Sequence, residues 1–93
     1  MRLRYRAQAL SDIDEIYRYL EERSPAGAHN VLRALYAGIH IIAERPYASQ
    51  RTNDPEVRVK IMLRYRYKIF YRIVGGDTVE IMHIRHSSRR PWL

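Results

Sequence analysis

The sequence feature that most constrains the fold is a pair of strand-like segments joined by a glycine turn. Apolar and polar residues alternate from Tyr65 to Ile73, which is the period-two pattern of a β-strand with one buried face. Gly75-Gly76-Asp77 follows and supplies residues that tolerate positive φ, as a tight hairpin turn requires. Thr78 to His86 is apolar on both faces, which predicts a strand inside the sheet. The second half of the chain is therefore predicted to form an antiparallel sheet.

Two helices are predicted in the first half of the chain. Ser11 stands three residues before Asp14 at the head of an amphipathic run, a capping-box spacing that predicts the start of the first helix. Ser24-Pro25 predicts the start of the second helix, and Pro46 stops it near Glu44. The acidic residues of the first helix are interpreted as its solvated outer face: Asp12, Asp14, Glu15, Glu21 and Glu22.

Two more alternating segments complete the predicted order of elements. Residues 2–6 and 57–61 read as short strands, and residues 46–55 read as a loop. The order β-α-α-β-β-β predicts one α+β domain over residues 1–93, with an antiparallel sheet and an α-helical hairpin packed on one face.

Charge is distributed unevenly along the chain. The 93 residues carry 17 Lys and Arg against 10 Asp and Glu, a net charge of +7. The first 44 residues are neutral, so the whole excess lies in the predicted sheet and tail. With no cysteine, a disulfide scaffold and a thiolate metal site are excluded. No apolar run is long enough for a membrane span, and we expect a cytoplasmic protein.

The face of the sheet away from the helices is predicted to be basic. If Tyr65, Tyr67 and Ile69 face the helices, the alternate residues Arg66, Lys68, Phe70 and Arg72 lie on the open face. Arg58 and Lys60 are expected to join them. Cations at alternate strand positions can contact successive phosphates, although a basic face can also serve only to keep an exposed sheet soluble.

Two histidines near the end of the chain are candidate site residues. His83 lies in phase with Val79 and Ile81, so it is predicted to be a core residue, whereas His86 is the better site candidate. Their spacing of three places them on opposite faces of a strand, so they do not share a metal. No nucleophile motif, phosphate-binding glycine loop or zinc spacing is present, and we expect no cofactor and no metal.

Several segments resemble the ParE branch of the RelE/ParE toxin superfamily over nearly the whole chain. They are the acidic first helix (residues 9–16), the Pro46 stop, the strand of residues 67–72 and the terminus of residues 79–92 with its His86 and Arg89. The resemblance implies a bacterial type II toxin of plasmid stabilisation systems, neutralised by a ParD-like antitoxin. ParE-like members poison DNA gyrase, while RelE-like members cleave mRNA on the ribosome without a metal.

The resemblance also implies site residues. In RelE-like nucleases a basic residue before the aromatic-Tyr pair and an Arg in the tail are catalytic, which matches Lys68 and Arg89, with His86 left to move protons. Ser87 stands where ParE-like chains usually have Gly. The resemblance therefore implies a gyrase-binding toxin, which we expect to act without catalysis. The alternatives are a metal-independent ribosome-dependent endoribonuclease and a degenerate, phosphate-binding module. The expected target-binding residues are Arg66, Lys68, His86, Arg89, Arg90 and Trp92.

Overall fold

A computed structural model describes residues 1–86 of the chain. Two helices and five strands follow one another along the sequence. Their bounds are β1 Arg2–Tyr5, α1 Ala7–Glu21, α2 Pro25–Glu44, β2 Gln50–Arg51, β3 Arg58–Met62, β4 Tyr67–Val74 and β5 Thr78–His86. No helix in this part of the chain is long and apolar enough to cross a membrane.

The five strands form one sheet in the order β1-β5-β4-β3-β2. The hairpins β3-β4 and β4-β5 are antiparallel, as the alternating pattern predicts. β1, however, pairs with β5 in parallel, so the sheet is mixed rather than wholly antiparallel. The local pattern of residues 2–5 specifies a strand but not its neighbour, because pairing with β5 is a contact across more than 70 residues. The α+β class and the helical hairpin are confirmed.

The core lies between the helical hairpin and one face of the sheet. Leu35, Ile39 and Ile42 of α2 pack against Ile69, Tyr71 and Ile81 of the sheet, and all six are at most 1% exposed. The Tyr71 hydroxyl donates a 2.6 Å hydrogen bond to the Pro46 carbonyl, which ties the end of α2 to β4. This packing confirms that Tyr67, Ile69 and Tyr71 face the helices, and it leaves the alternate residues of β4 on the other face.

The two helix starts differ from each other in how they are capped. α2 begins as predicted, with Pro25 in its first turn and the Ser24 hydroxyl accepting a 3.0 Å hydrogen bond from the Gly27 amide. The predicted capping box at Ser11 is wrong, since α1 already begins at Ala7 and Ser11 lies inside it. The N-cap of α1 is Arg6, whose side chain makes no capping hydrogen bond to the first turn of the helix; its backbone amide donates a hydrogen bond to the Ile81 carbonyl of β5.

Candidate functional site

The predicted site residues do not all lie together. Lys68 is on β4, on the sheet face opposite the helices, which we call the open face. His86, the last residue of β5, lies on the helix side, its ring 5.0 Å from that of Tyr67 in an edge-to-face contact. Arg66 is exposed in the turn before β4, with a positive φ of 59°. Arg89, Arg90 and Trp92 lie outside the described residues.

Two of the cations expected on the open face are not there. Side chains that pair directly in register share a face, and Lys60 pairs with Ile69 while Arg58 pairs with Tyr71, both of which face the helices. Arg58 instead donates hydrogen bonds to the carbonyls of Tyr47 and Ser49, at 3.1 and 2.9 Å. The alternating pattern correctly predicts that β3 is a strand. Which of its residues share a face with Lys68 depends on the register between β3 and β4, and the sequence pattern does not specify that register.

A β-bulge in β5 changes the position of His83. Phe70 pairs with His83 but Tyr71 pairs with Ile81, so Met82 is an extra residue that inverts the alternation beyond it. The prediction that His83 is a core residue in phase with Val79 and Ile81 is therefore wrong. His83 lies on the open face, where its ring stacks on Phe70 at 4.4 Å with an interplanar angle of 6°.

The stacked histidine lies in an environment that disfavours its charged form. Its Nδ1 atom is buried without a hydrogen-bond partner. Burial and the neighbouring Arg85 guanidinium lower the pKa of His83, with Asp12 acting in the opposite direction. The neutral form of His83 is therefore favoured, and its ring adds an aromatic surface to the open face.

At one end of the open face, which we call the Glu80 end, three guanidiniums surround a buried carboxylate. Glu80 is 6% exposed and accepts hydrogen bonds from Arg72 at 2.7 Å, Arg6 at 3.0 Å and Arg4 at 2.9 Å. Burial by itself raises the pKa of Glu80, but the hydrogen bonds from the three arginines outweigh it and lower the pKa to about 2. The group joins β1, β5 and β4 and carries a net charge of +2.

At the other end, which we call the Lys68 end, Lys68 pairs in register with Arg85. Like charges directly opposite each other on a sheet repel, so this pair favours a bound anion. Arg85 has one acidic partner among residues 1–86, Asp12 of α1, whose Oδ1 lies 3.5 Å from its Nη1.

Asp12 is the main residue that the sequence interpretation missed. It is 5% exposed rather than part of a solvated helix face. β1 pairs with β5 only as far as Ile81, and beyond that point the Asp12 carboxylate accepts a 2.9 Å hydrogen bond from the Ile84 amide. Asp12 thus accepts, at this edge of the sheet, a backbone hydrogen bond that a neighbouring strand would otherwise accept. The sequence offers one indication that Asp12 is buried: it directly precedes Ile13 and so lies at the border of the apolar face of α1.

The geometry of the open face suits binding of anionic groups better than acid–base chemistry. Lys68 offers a cation beside the Phe70–His83 stack, next to Arg85 with its ion pair to Asp12, while His86 lies on the opposite side of the sheet. Within residues 1–86, no group of three His, Asp or Glu side chains could hold a metal ion. Fold and face together define a small α+β protein with a helical hairpin on one side of the sheet and a basic surface on the other.

The chain belongs to the ParE toxin family of the RelE/ParE superfamily. The family model for the ParE toxin of the type II toxin–antitoxin system, parDE, matches residues 3–91. Toxin ParE1 of Caulobacter vibrioides is 34% identical over 88 residues, covering 94% of this chain and 88% of that protein.

Two solved structures share the fold at low identity. The first is of the chromosomal ParDE system from P. aeruginosa, with a TM-score of 0.81 and 20% identity, covering 92% of this chain and 95% of that one. The second is the intact E. coli RelBE toxin–antitoxin complex, with a TM-score of 0.71 and 14% identity, covering 95% of this chain and 98% of that one. These structures show the shared fold, and the family match over residues 3–91 confirms the predicted superfamily.

Proposed function

We propose that this toxin arrests bacterial growth by binding DNA gyrase without catalysis, and that a ParD-like antitoxin encoded beside it neutralises it. The observation that carries the proposal is the match to the ParE toxin family over residues 3–91. The separation of Lys68 from His86 by the thickness of the sheet supports it as well, because in an endoribonuclease both residues would have to reach the same scissile phosphate.

The open face is the proposed contact surface for the target. Lys68 and Arg85 supply charge at its Lys68 end, and the Phe70–His83 stack supplies a flat aromatic surface beside them. Cations beside exposed aromatic rings are typical of surfaces that bind acidic protein segments or phosphates. Arg66, Arg89, Arg90 and Trp92 remain proposed members of this surface, and His86 a proposed contact at its margin.

Purified components test the proposal directly. The wild-type chain, expressed without an antitoxin, should stop the supercoiling activity of purified gyrase and leave mRNA on translating ribosomes intact. Lys68→Ala should weaken the inhibition, whereas Arg51→Ala should not, since Arg51 is an exposed cation that pairs in register with Arg58 on the helix side of the sheet. Unimpaired gyrase at a toxin concentration that stops growth would refute the proposal.

The same experiment also tests the competing endoribonuclease hypothesis. Cuts in mRNA that require the ribosome, and that disappear in both Lys68→Ala and Arg89→Ala, would assign the chain to the RelE-like activity. We retain this alternative because the fold is similar to that of the E. coli RelE toxin, with a TM-score of 0.71. Growth unaffected by expression would contradict both hypotheses and leave the degenerate, phosphate-binding module.

A further inference from the structure

The charge of Arg85 lies at an edge of the sheet. In register Arg85 lies opposite Lys68, but its Nη1 is 3.5 Å from Oδ1 of Asp12 on α1. The Arg85 side chain also lines a cleft of about 260 Å³ beside α1, together with Asp12 and Glu15. No strand within residues 1–86 covers this edge, because β1 pairs with β5 only as far as Ile81. The guanidinium can therefore be drawn toward α1 instead of toward the open face.

The ion pair with Arg85 is the longest contact of the Asp12 carboxylate. Oδ1 accepts a 2.7 Å hydrogen bond from the Gln8 side-chain amide, and Oδ2 accepts a 2.9 Å hydrogen bond from the Ile84 backbone amide. Short hydrogen bonds to a carboxylate are stronger than a long, partly exposed ion pair. Each oxygen of this buried carboxylate keeps a hydrogen bond when Arg85 moves away. Of the three contacts, the one with Arg85 is thus broken at the smallest cost.

Lys68 makes an external anion a better partner for Arg85 than Asp12 is. The two cations lie directly opposite each other on neighbouring strands, where like charges repel. Lys68 forms no ion pair within residues 1–86, and the Arg85 side chain is 31% exposed, so a partner can reach both. A carboxylate or phosphate bound between them would neutralise two cations at once, whereas Asp12 neutralises only Arg85.

From these contacts we infer that Asp12 is an affinity-determining residue of the toxin, which holds Arg85 in the free protein and releases it to an anionic group of the target. The inference rests on the proposed binding of gyrase. It adds a positioning residue on α1 that acts through Arg85 and does not itself touch the target. Because Asp12 and the target compete for one guanidinium, removal of the Asp12 charge should strengthen binding. Loss of a merely structural residue would weaken it.

The test compares the inhibition of purified gyrase by variants of the full chain. Asp12→Asn removes the charge that competes for Arg85 and keeps an oxygen that can accept the hydrogen bond of the Ile84 amide. Glu15→Gln is the matched control, because it removes the same charge from an exposed residue of the same cleft that forms no ion pair within residues 1–86. Arg85→Gln, alone and combined with Asp12→Asn, completes a double-mutant cycle.

The expected result is a gain of inhibition that depends on Arg85. Asp12→Asn should lower the toxin concentration that halves supercoiling by about threefold, as expected for loss of a partly exposed ion pair, and the gain should shrink at high salt. Glu15→Gln should change that concentration by less than about 1.5-fold. Arg85→Gln should raise it by about threefold, and adding Asp12→Asn should then have no further effect. Concentrations are those of folded protein, determined by circular dichroism.

Other results would overturn the inference in different ways. Inhibition by folded Asp12→Asn no stronger than that of the wild type would leave Asp12 with a structural role alone. A gain that persists without Arg85 would show that the Asp12 charge does not act through it. Arg85→Gln leaves both hydrogen bonds of Asp12 in place, so its result decides even if Asp12→Asn does not fold: wild-type inhibition would show that the target does not use Arg85. A wild-type chain that stops growth without inhibiting gyrase would instead refute the proposed function, and the inference with it.

Discussion

At the Glu80 end of the open face three guanidiniums surround one carboxylate, whereas at the Lys68 end Lys68 lies beside Arg85, whose ion pair with Asp12 spans 3.5 Å. Both ends are basic. At the Glu80 end, however, the arginines are committed to joining three strands, and moving any of them toward an external anion would leave Glu80 buried with fewer partners. At the Lys68 end the one ion pair is longer, and Lys68 forms none within residues 1–86.

The comparison shows that net charge overstates what a basic surface can offer a partner. Four of the arginines on or beside the open face have an acidic partner within the fold, among them Arg85. Lys68 has no ion pair within residues 1–86. The excess of +7 therefore divides into charge that stabilises the fold and charge that is available for binding, and mutations should separate the two.

The largest loss in free energy of unfolding is expected from Glu80→Gln, because this change removes the negative charge that binds Arg4, Arg6 and Arg72. The lowering of the Glu80 pKa from 4.5 to about 2 corresponds to about 3 kcal/mol at most, and solvent screening of the partly exposed guanidiniums reduces this to about 2–3 kcal/mol. Urea denaturation at pH 7 measures the loss. Glu56→Gln, the same change at an exposed position, should alter the free energy of unfolding by less than about 0.5 kcal/mol; equal effects of the two would show that the arginines do not depend on Glu80.

The pH dependence of the free energy of unfolding tests the same ion pairs by protonating Glu80. Because the folded-state pKa of Glu80 lies below its unfolded value, its contribution is complete above about pH 4.5 and is lost as the pH falls toward 2. Between pH 6 and pH 3 the wild type should lose about 2 kcal/mol that Glu80→Gln does not lose. The measured quantity is the difference in free energy of unfolding between the two proteins at each pH; a difference that does not change with pH would refute the ion-pair interpretation.

At the Lys68 end, Asp12→Ala should cost about 1–2 kcal/mol, because it leaves the buried Ile84 amide without an acceptor and Arg85 without its ion pair. Asp12→Asn keeps an oxygen for the amide and should cost less. Asp14→Ala is the control, since its ion pair with Arg18 is exposed to solvent and contributes about 0.5 kcal/mol or less. If Asp12→Ala cost no more than Asp14→Ala, Asp12 would not replace a strand at the edge of β5.

These residues also show where prediction from sequence works for this molecule. Signals that act within a few residues were read correctly: Ser24-Pro25 starts α2, Pro46 follows its end, and Gly75-Gly76, both at positive φ, form the turn before β5. Each depends on a local backbone preference of Ser, Pro or Gly. The sequence is sufficient for such features because nothing distant has to be known.

The composition of the site was harder to predict because it depends on register. One extra residue at Met82 moves His83 from the core to the open face, and the pairing of β3 with β4 moves Lys60 away from it. Asp12 is buried because β1 ends opposite Ile81, more than 60 residues away in sequence. The alternation predicts the strands, whereas the side on which each charge lies is decided by contacts between distant segments.

The smallest effect, about 1 kcal/mol, is expected for target binding when the cation of the Lys68 end is removed, in contrast to removal of an arginine at the Glu80 end. Lys68→Ala should weaken gyrase inhibition by about fivefold, because Lys68 is free to contact an external carboxylate or phosphate. Arg4→Ala should leave inhibition within about twofold while lowering stability, since Arg4 is engaged by Glu80 at 2.9 Å. The measurement is the toxin concentration that halves supercoiling, beside urea denaturation of both variants. The reverse pattern, with Arg4→Ala impairing inhibition and Lys68→Ala impairing only stability, would mean that the target is bound at the Glu80 end.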